Sequence, residues 1–200
     1  MKFLPMKFLP TAKQSLILLA LMGLMLATRY HHFGAALHLP DASMAIFFVA
    51  GFYLAGTVAL PILMLEAGLI DYIAISMAGV SDFCVTPAYS MLVVAYGVLW
   101  YGGALYANKF YTPTLSTLLP AGLIALASCL LSFLVSNGSF YWMGGRYADP
   151  HFAEFVQRFM QYMPSFVSVA MAYIAAFGVA HAIGVIALGD KSAGSMNKAR

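Results

Sequence analysis

Charge is what this chain has least of: Asp, Glu, Lys and Arg make up 8% of 200 residues, against about 25% in a soluble domain whose surface must face water. With 62% hydrophobic residues and a mean hydropathy of +0.86, the chain cannot clothe a globule in polar groups, so its surface must face lipid. Its ten Lys and Arg are scattered and form no basic stripe, which excludes a nucleic-acid binder. No GxxxxGK[ST] pattern occurs, so the chain has no ATP site of the P-loop kind. The two cysteines, Cys84 and Cys129, form neither a CxxC pair nor a zinc spacing, and they fall at different depths, which argues against a disulfide.

What is present is apolar sequence in segments long enough to cross a bilayer, which takes about 20 residues. The pattern predicts an all-α integral membrane protein with six transmembrane helices. Helix one runs from Gln14 towards Tyr30, with Lys13 snorkelling to the interface. A polar loop holds Arg29, His31, His32 and His38. Asp41 is placed to cap helix two, Ala42 to about Leu60, and Pro61 opens helix three, which reaches about Gly79. A short loop, Ser81 to Thr86, leads to Pro87 and helix four, ending near Asn108. Helix five starts at Thr112-Pro113 or Thr117-Pro120 and closes around Asn137-Gly138, and helix six runs from Pro164 to about Gly189. Between the last two, Asp149 and Pro150 read as a helix start. Phe152, Phe155, Val156, Phe159, Met160 and Met163 then recur at helical spacing opposite polar residues, predicting an interfacial amphipathic helix that anchors or covers something.

This gives one transmembrane domain over residues 13–189, a segment 1–12 before it and a tail 190–200 after it. Met1 to Pro5 is repeated residue for residue as Met6 to Pro10, which reads as an artefact of the start site rather than structure. With six crossings, Lys2, Lys7, Lys13, Lys109, Lys191, Lys198 and Arg200 share one side, and Arg29, Arg146 and Arg158 the other. Positive residues favour the cytoplasm, so both termini are expected there, in the cytoplasmic membrane. The histidine loop, the Cys84 loop and the amphipathic segment then converge on the outer face.

Some residues sit where apolar ones are cheaper. A carboxylate at the centre of a membrane helix costs about 2.5–3.5 kcal/mol. Glu66 is close enough to Pro61 to reach the cytoplasmic interface, whereas Asp71 is deeper, on a stripe with Ala67, Ala74 and Ala78. Asp71 therefore either hydrogen-bonds a neighbouring helix or faces a polar cavity. Ala172, Ala176, Ala180 and Gly184 in helix six, and Gly23 and Ala27 in helix one, form rows of small residues for bundle packing or for a partner protein. His181, beside that row, reads as a hydrogen-bonded packing residue and Cys129 as a small buried hydrophobe. Cys84 stands just before a helix start, where the dipole favours a thiolate and Asp82 opposes it; a thiolate suits transition metals and metal cofactors.

In layout the chain resembles the substrate-binding S-components of energy-coupling factor transporters, whose pocket lies under these three outer loops. The run Asp82-Phe83-Cys84-Val85-Thr86-Pro87-Ala88-Tyr89 is similar to that of the solitary cobalamin-specific S-components of the BtuM type. The resemblance implies cobalamin binding and uptake, with the Cys84 thiolate as metal ligand to the corrinoid cobalt and as the group that helps remove a cyano ligand. It further implies ligand contacts from Asp71, Tyr89, His31, His32 and Tyr141, with Phe140, Trp142 and Tyr147 walling a flat ligand; each aromatic alone also fits an interfacial belt. Energy would come from a coupling module docked on small-residue helix faces, or cargo would enter passively and be trapped. Two other classes stay open: a structural or assembly subunit, for which the small-residue rows suffice, and a membrane redox protein. Against the latter, His181 is the lone histidine in a predicted helix, and Cys84 has no resolving partner.

Overall fold

The computed structural model describes residues 9–29 and 39–198, with side chains as far as residue 187. Six helices and no strand occur among the described residues: α1 Ala12–Arg29, α2 Ser43–Leu54, α3 Ala59–Ala78, α4 Leu92–Lys109, α5 Leu118–Met143 and α6 Phe152–Lys198. Five helical segments are long and apolar enough to cross a membrane. The chain is an all-α, multi-pass membrane protein. α2 is the exception. Its 12 residues span about 18 Å, short of a hydrocarbon core of about 30 Å.

α2 is short because it is central. Nine of its residues, from Ser43 to Leu54, are buried, on all sides of the helix. α1, α3, α4 and α6 all touch it. A helix that is apolar all round belongs inside, and this one is clad by its neighbours rather than by lipid. Its tightest neighbour is α4. A Cβ added to Gly51 would strike the Trp100 carbonyl, and one added to Gly103 the Phe48 carbonyl, so the two antiparallel backbones touch. Gly102 likewise leaves room only for the Ser128 side chain of α5. In lipid, where burying apolar surface gives helices little reason to associate, such close approach supplies the attraction through van der Waals contact.

Several boundaries differ from those the sequence predicts. α1 begins at Ala12, because Thr11 and Gln14 cap each other: the Thr11 amide donates to Gln14 Oε1 at 3.0 Å and the Gln14 amide to Thr11 Oγ1 at 3.4 Å. α2 stops at Leu54 rather than Leu60, where Gly56 takes a left-handed φ of 84° and the Thr57 hydroxyl donates to the Leu54 carbonyl at 2.8 Å. α3 then starts at Ala59, leaving Pro61 in its first turn, where no amide is needed. α5 runs past Asn137-Gly138 to Met143, since apolar surroundings reward every internal hydrogen bond and override glycine's low helix propensity.

The largest departure is α6. The amphipathic stretch and helix six are one continuous helix through Pro164, not an interfacial helix followed by a separate span. A proline inside a helix removes one hydrogen bond, a loss that membrane helices tolerate. The start is capped by His151, not Asp149: the Glu154 amide donates to His151 Nδ1 at 3.3 Å and the Phe155 amide to the His151 carbonyl at 3.1 Å. On α6, Val167 and Ala170 are buried, but Ala172, Ala176, Ala180 and Gly184 are exposed. That small-residue row does not pack the bundle.

The α2–α4 contact generates a sharp expectation. Gly103→Val should lower the melting temperature of the detergent-purified protein, by an amount equivalent to about 1–3 kcal/mol or more, because a branched side chain must displace backbone. Gly23→Val, where nothing lies within 4 Å of an added Cβ, should leave it unchanged.

Candidate functional site

The polar side chains in the bundle gather where α1 ends. Arg29, read from sequence as a loop residue, is the last residue of α1 and only 7% exposed. Its guanidinium grips Asp71 of α3 with two bonds, Nε to Oδ1 at 2.7 Å and Nη2 to Oδ2 at 2.6 Å. Its Nη1 donates to Ser43 Oγ at the start of α2 (3.0 Å) and to the Tyr96 hydroxyl of α4 (2.8 Å). Asp41 lies 3.6 Å from Nη1 and accepts from the Ser43 amide (2.9 Å) and hydroxyl (2.6 Å), so it holds the start of α2 from one residue before the N-cap, Ala42, rather than as the predicted N-cap itself. One cation thus meets two carboxylates and joins four helices. Of the two fates open to Asp71, the hydrogen bond to another helix is the one observed.

Tyr89 completes this network from above. Its hydroxyl donates to Asp71 Oδ2 at 2.6 Å, a contact the sequence did not predict for these two candidate ligand residues. Tyr89 sits in a 3-10 turn, Pro87–Met91, that precedes α4. Cys84 closes another such turn, Asp82–Cys84, capped by the Ser81 hydroxyl accepting from the Phe83 amide at 3.2 Å. Since α4 proper begins only at Leu92, a short 3-10 segment rather than a full α-helix start follows Cys84, and the dipole there is weaker than the sequence suggests. Cys84 is exposed and unpaired, while Cys129 is fully buried, as read from sequence.

The Cys84 turn is held from the α5–α6 connection. Arg146 donates from Nε to the Phe83 carbonyl at 3.0 Å, and its guanidinium carbon lies 4.9 Å from the Phe83 ring centre. Phe83 in turn packs on Phe140, with centroids 5.7 Å apart, and Phe140 on Tyr147 at 6.3 Å. Two of the three loops expected to converge therefore do. His31 and His32 lie outside the described residues. Tyr141 is buried and differently occupied: its hydroxyl accepts from the His151 amide at 2.9 Å and lies 2.9 Å from Glu154 Oε2, tying α5 to α6. It is brought to the aromatic wall with Tyr147, but no hydrogen bond or ring contact joins it to Asp71, Tyr89 or Cys84 among the described residues.

Helix lengths set the depth of these groups. α3 continues about 10 Å beyond Asp71, and Tyr141 lies about 20 Å along α5 from Ser128, which meets Gly102 of α4. The Arg29 network is therefore recessed below the ends of α3 and α5, and the Cys84 turn stands above it. At the opposite end of the bundle His181 is hydrogen-bonded on both nitrogens, Nδ1 to the Tyr53 hydroxyl at 2.5 Å and Nε2 to the Tyr111 hydroxyl at 2.6 Å. It is a packing residue as predicted, and neither nitrogen is free for haem iron. No group of three or more His, Cys, Asp or Glu that could hold a metal ion occurs among the described residues. Glu66 is half-buried, and its Oε2 is enclosed and without a hydrogen-bond partner. No family model and no curated protein matches this chain.

Sequence reasoning missed Arg29, Ser43 and Tyr96. A usable signal existed for Arg29 alone, as a cation bordering an apolar run that can satisfy a buried carboxylate. Removing it by Arg29→Ala should destabilise the protein by about 3–5 kcal/mol, because Asp71 is left buried and uncompensated. Tyr89→Phe should cost about 1 kcal/mol. Chemical denaturation in detergent checks both, and equal effects would remove the guanidinium from its central place.

Proposed function

We propose that the chain binds a corrinoid at the end of the bundle carrying Cys84 and takes it up across the cytoplasmic membrane, in the manner of a solitary S-component. The observation that carries this reading is an exposed, unpaired thiol presented on a braced turn directly before Tyr89, whose hydroxyl reaches the Arg29–Asp71 network. A thiolate is a soft donor able to replace an axial ligand of cobalt, which selects for a corrinoid in a way that shape alone does not. If cobalt arrives carrying cyanide, the incoming thiolate takes the axial position and cyanide leaves, an exchange without change of oxidation state. Below it, Asp71 and Tyr89 offer polar groups to the amide-rich rim of the cargo. The aromatic rings of Phe83, Phe140 and Tyr147 offer flat apolar surface at the same level. His31 and His32, which follow α1 in sequence, are the remaining candidate ligand contacts.

Both termini are placed in the cytoplasm by the excess of lysine on their side, which directs the Cys84 end outward. The exposed rows, Gly23 and Ala27 on α1 and Ala172, Ala176, Ala180 and Gly184 on α6, suit a partner that approaches through the membrane. They favour a coupling module, and they equally support the second reading, an assembly subunit of a larger membrane complex.

Protein purified from cells supplied with cyanocobalamin should carry a corrin visible spectrum that changes in Cys84→Ala. A colourless preparation that takes up no cobalamin points to the assembly subunit, and a Soret band to a haem protein. In cells unable to import cobalamin, the gene should restore growth and Cys84→Ser should restore it less; equal rescue removes Cys84 from the mechanism.

A further inference from the structure

α3 carries a second carboxyl group that the Arg29 network does not use. Glu66 lies about 10 Å along the helix from Ala59, inside the span; its side chain is half-buried, with one oxygen, Oε2, enclosed by protein and without a hydrogen-bond partner. The residues one turn away on its face, Ile62, Leu63, Leu69 and Ile70, are all aliphatic. α1, α2 and α4 pack against α3. α1 has no charged residue between Lys13 and Arg29, α2 has none, and α4 has none before Lys109 at its far end. Arg29 is committed to Asp71, Tyr89 donates to Asp71, and Tyr96 accepts from Arg29. No ion pair to Glu66 exists among the described residues.

An isolated carboxylate in apolar surroundings is far costlier than the neutral acid, so such a group takes up a proton instead. Asp71, on the same helix, is the internal contrast, because a guanidinium compensates its charge. We propose that Glu66 is a proton-binding site within the membrane, separate from the Arg29–Asp71 pair. The site is independent of what the chain transports. A single protonatable carboxyl in a span would make any movement of α3 that exposes it to water sensitive to pH.

A lipid-soluble carbodiimide tests this on the whole protein in phosphatidylcholine vesicles. A protonated carboxyl passes its proton to a carbodiimide nitrogen while its oxygen adds to the central carbon, and the adduct rearranges to a stable N-acylurea found by peptide mass. Glu66 should be labelled in preference to Asp71, whose oxygens are taken by Arg29 and Tyr89, and labelling should fall as pH rises. Preferential labelling of Asp71 overturns the proposal. If no adduct forms, the infrared carbonyl stretch of a protonated acid decides: a band present in the wild type and lost in Glu66→Gln supports the site, and no such band overturns it. Glu66→Gln, neutral and nearly isosteric, should keep the melting temperature; a large fall would reveal an ionic partner and overturn the proposal as well.

Discussion

The guanidinium of Arg29 is the group around which the rest of the bundle is arranged. A cation inside an apolar bundle must have its charge compensated and its donors used, or the fold that buries it is lost. Here both needs are met by residues from α2, α3 and α4 at once, with Asp71 taking two parallel bonds and Ser43 and Tyr96 the remainder. The depth of Asp71, the start of α2 and the position of α4 are thereby tied to the end of α1. Tyr96 is also stacked on Phe47, centroids 4.1 Å apart and 9° from parallel, so the polar network and the α2–α4 packing share a residue. The glycine contacts bring these two helices together, and the arginine fixes where along their length they stop.

The same network reaches the proposed binding end. Through the Tyr89 hydroxyl it touches the segment that begins at the Cys84 turn, while Arg146 braces that turn from the α5–α6 connection. A ligand that drew Asp71 or Tyr89 into new bonds would have to be paid for by the Arg29 pairing, and the end of α1 would feel the change. α1 also carries exposed Gly23 and Ala27. Physically, then, a route of direct contacts runs from the Cys84 turn to a helix face open to the membrane.

Much of the fold was legible because lipid leaves the backbone few choices. Segments of about 20 apolar residues must be helical, and prolines and polar clusters mark where they end. Boundaries failed where a local hydrogen bond outweighed composition, as at Thr57, or where continuity carried a helix through a residue that usually breaks it, as at Gly138 and Pro164. That Tyr89 stands on the same side as Cys84 could be read from the sequence, but not its bond to Asp71. The role of Tyr141 could not, since its hydroxyl is claimed by the start of a helix that follows it in sequence.

By itself the sequence determined that the chain lives in a membrane, that its helices are about six, and that its unusual residues divide between two ends. Those conclusions follow from hydrophobicity and charge, which act residue by residue. Only the tertiary structure decided that Arg29 belongs inside rather than in a loop, that α2 is a short central helix, that Asp71 is paired while Glu66 is not, and that the small residues of α6 face outward. Each of these depends on which side chain meets which across helices far apart in sequence, and the energy of a buried charge is set by that partner rather than by the residue alone.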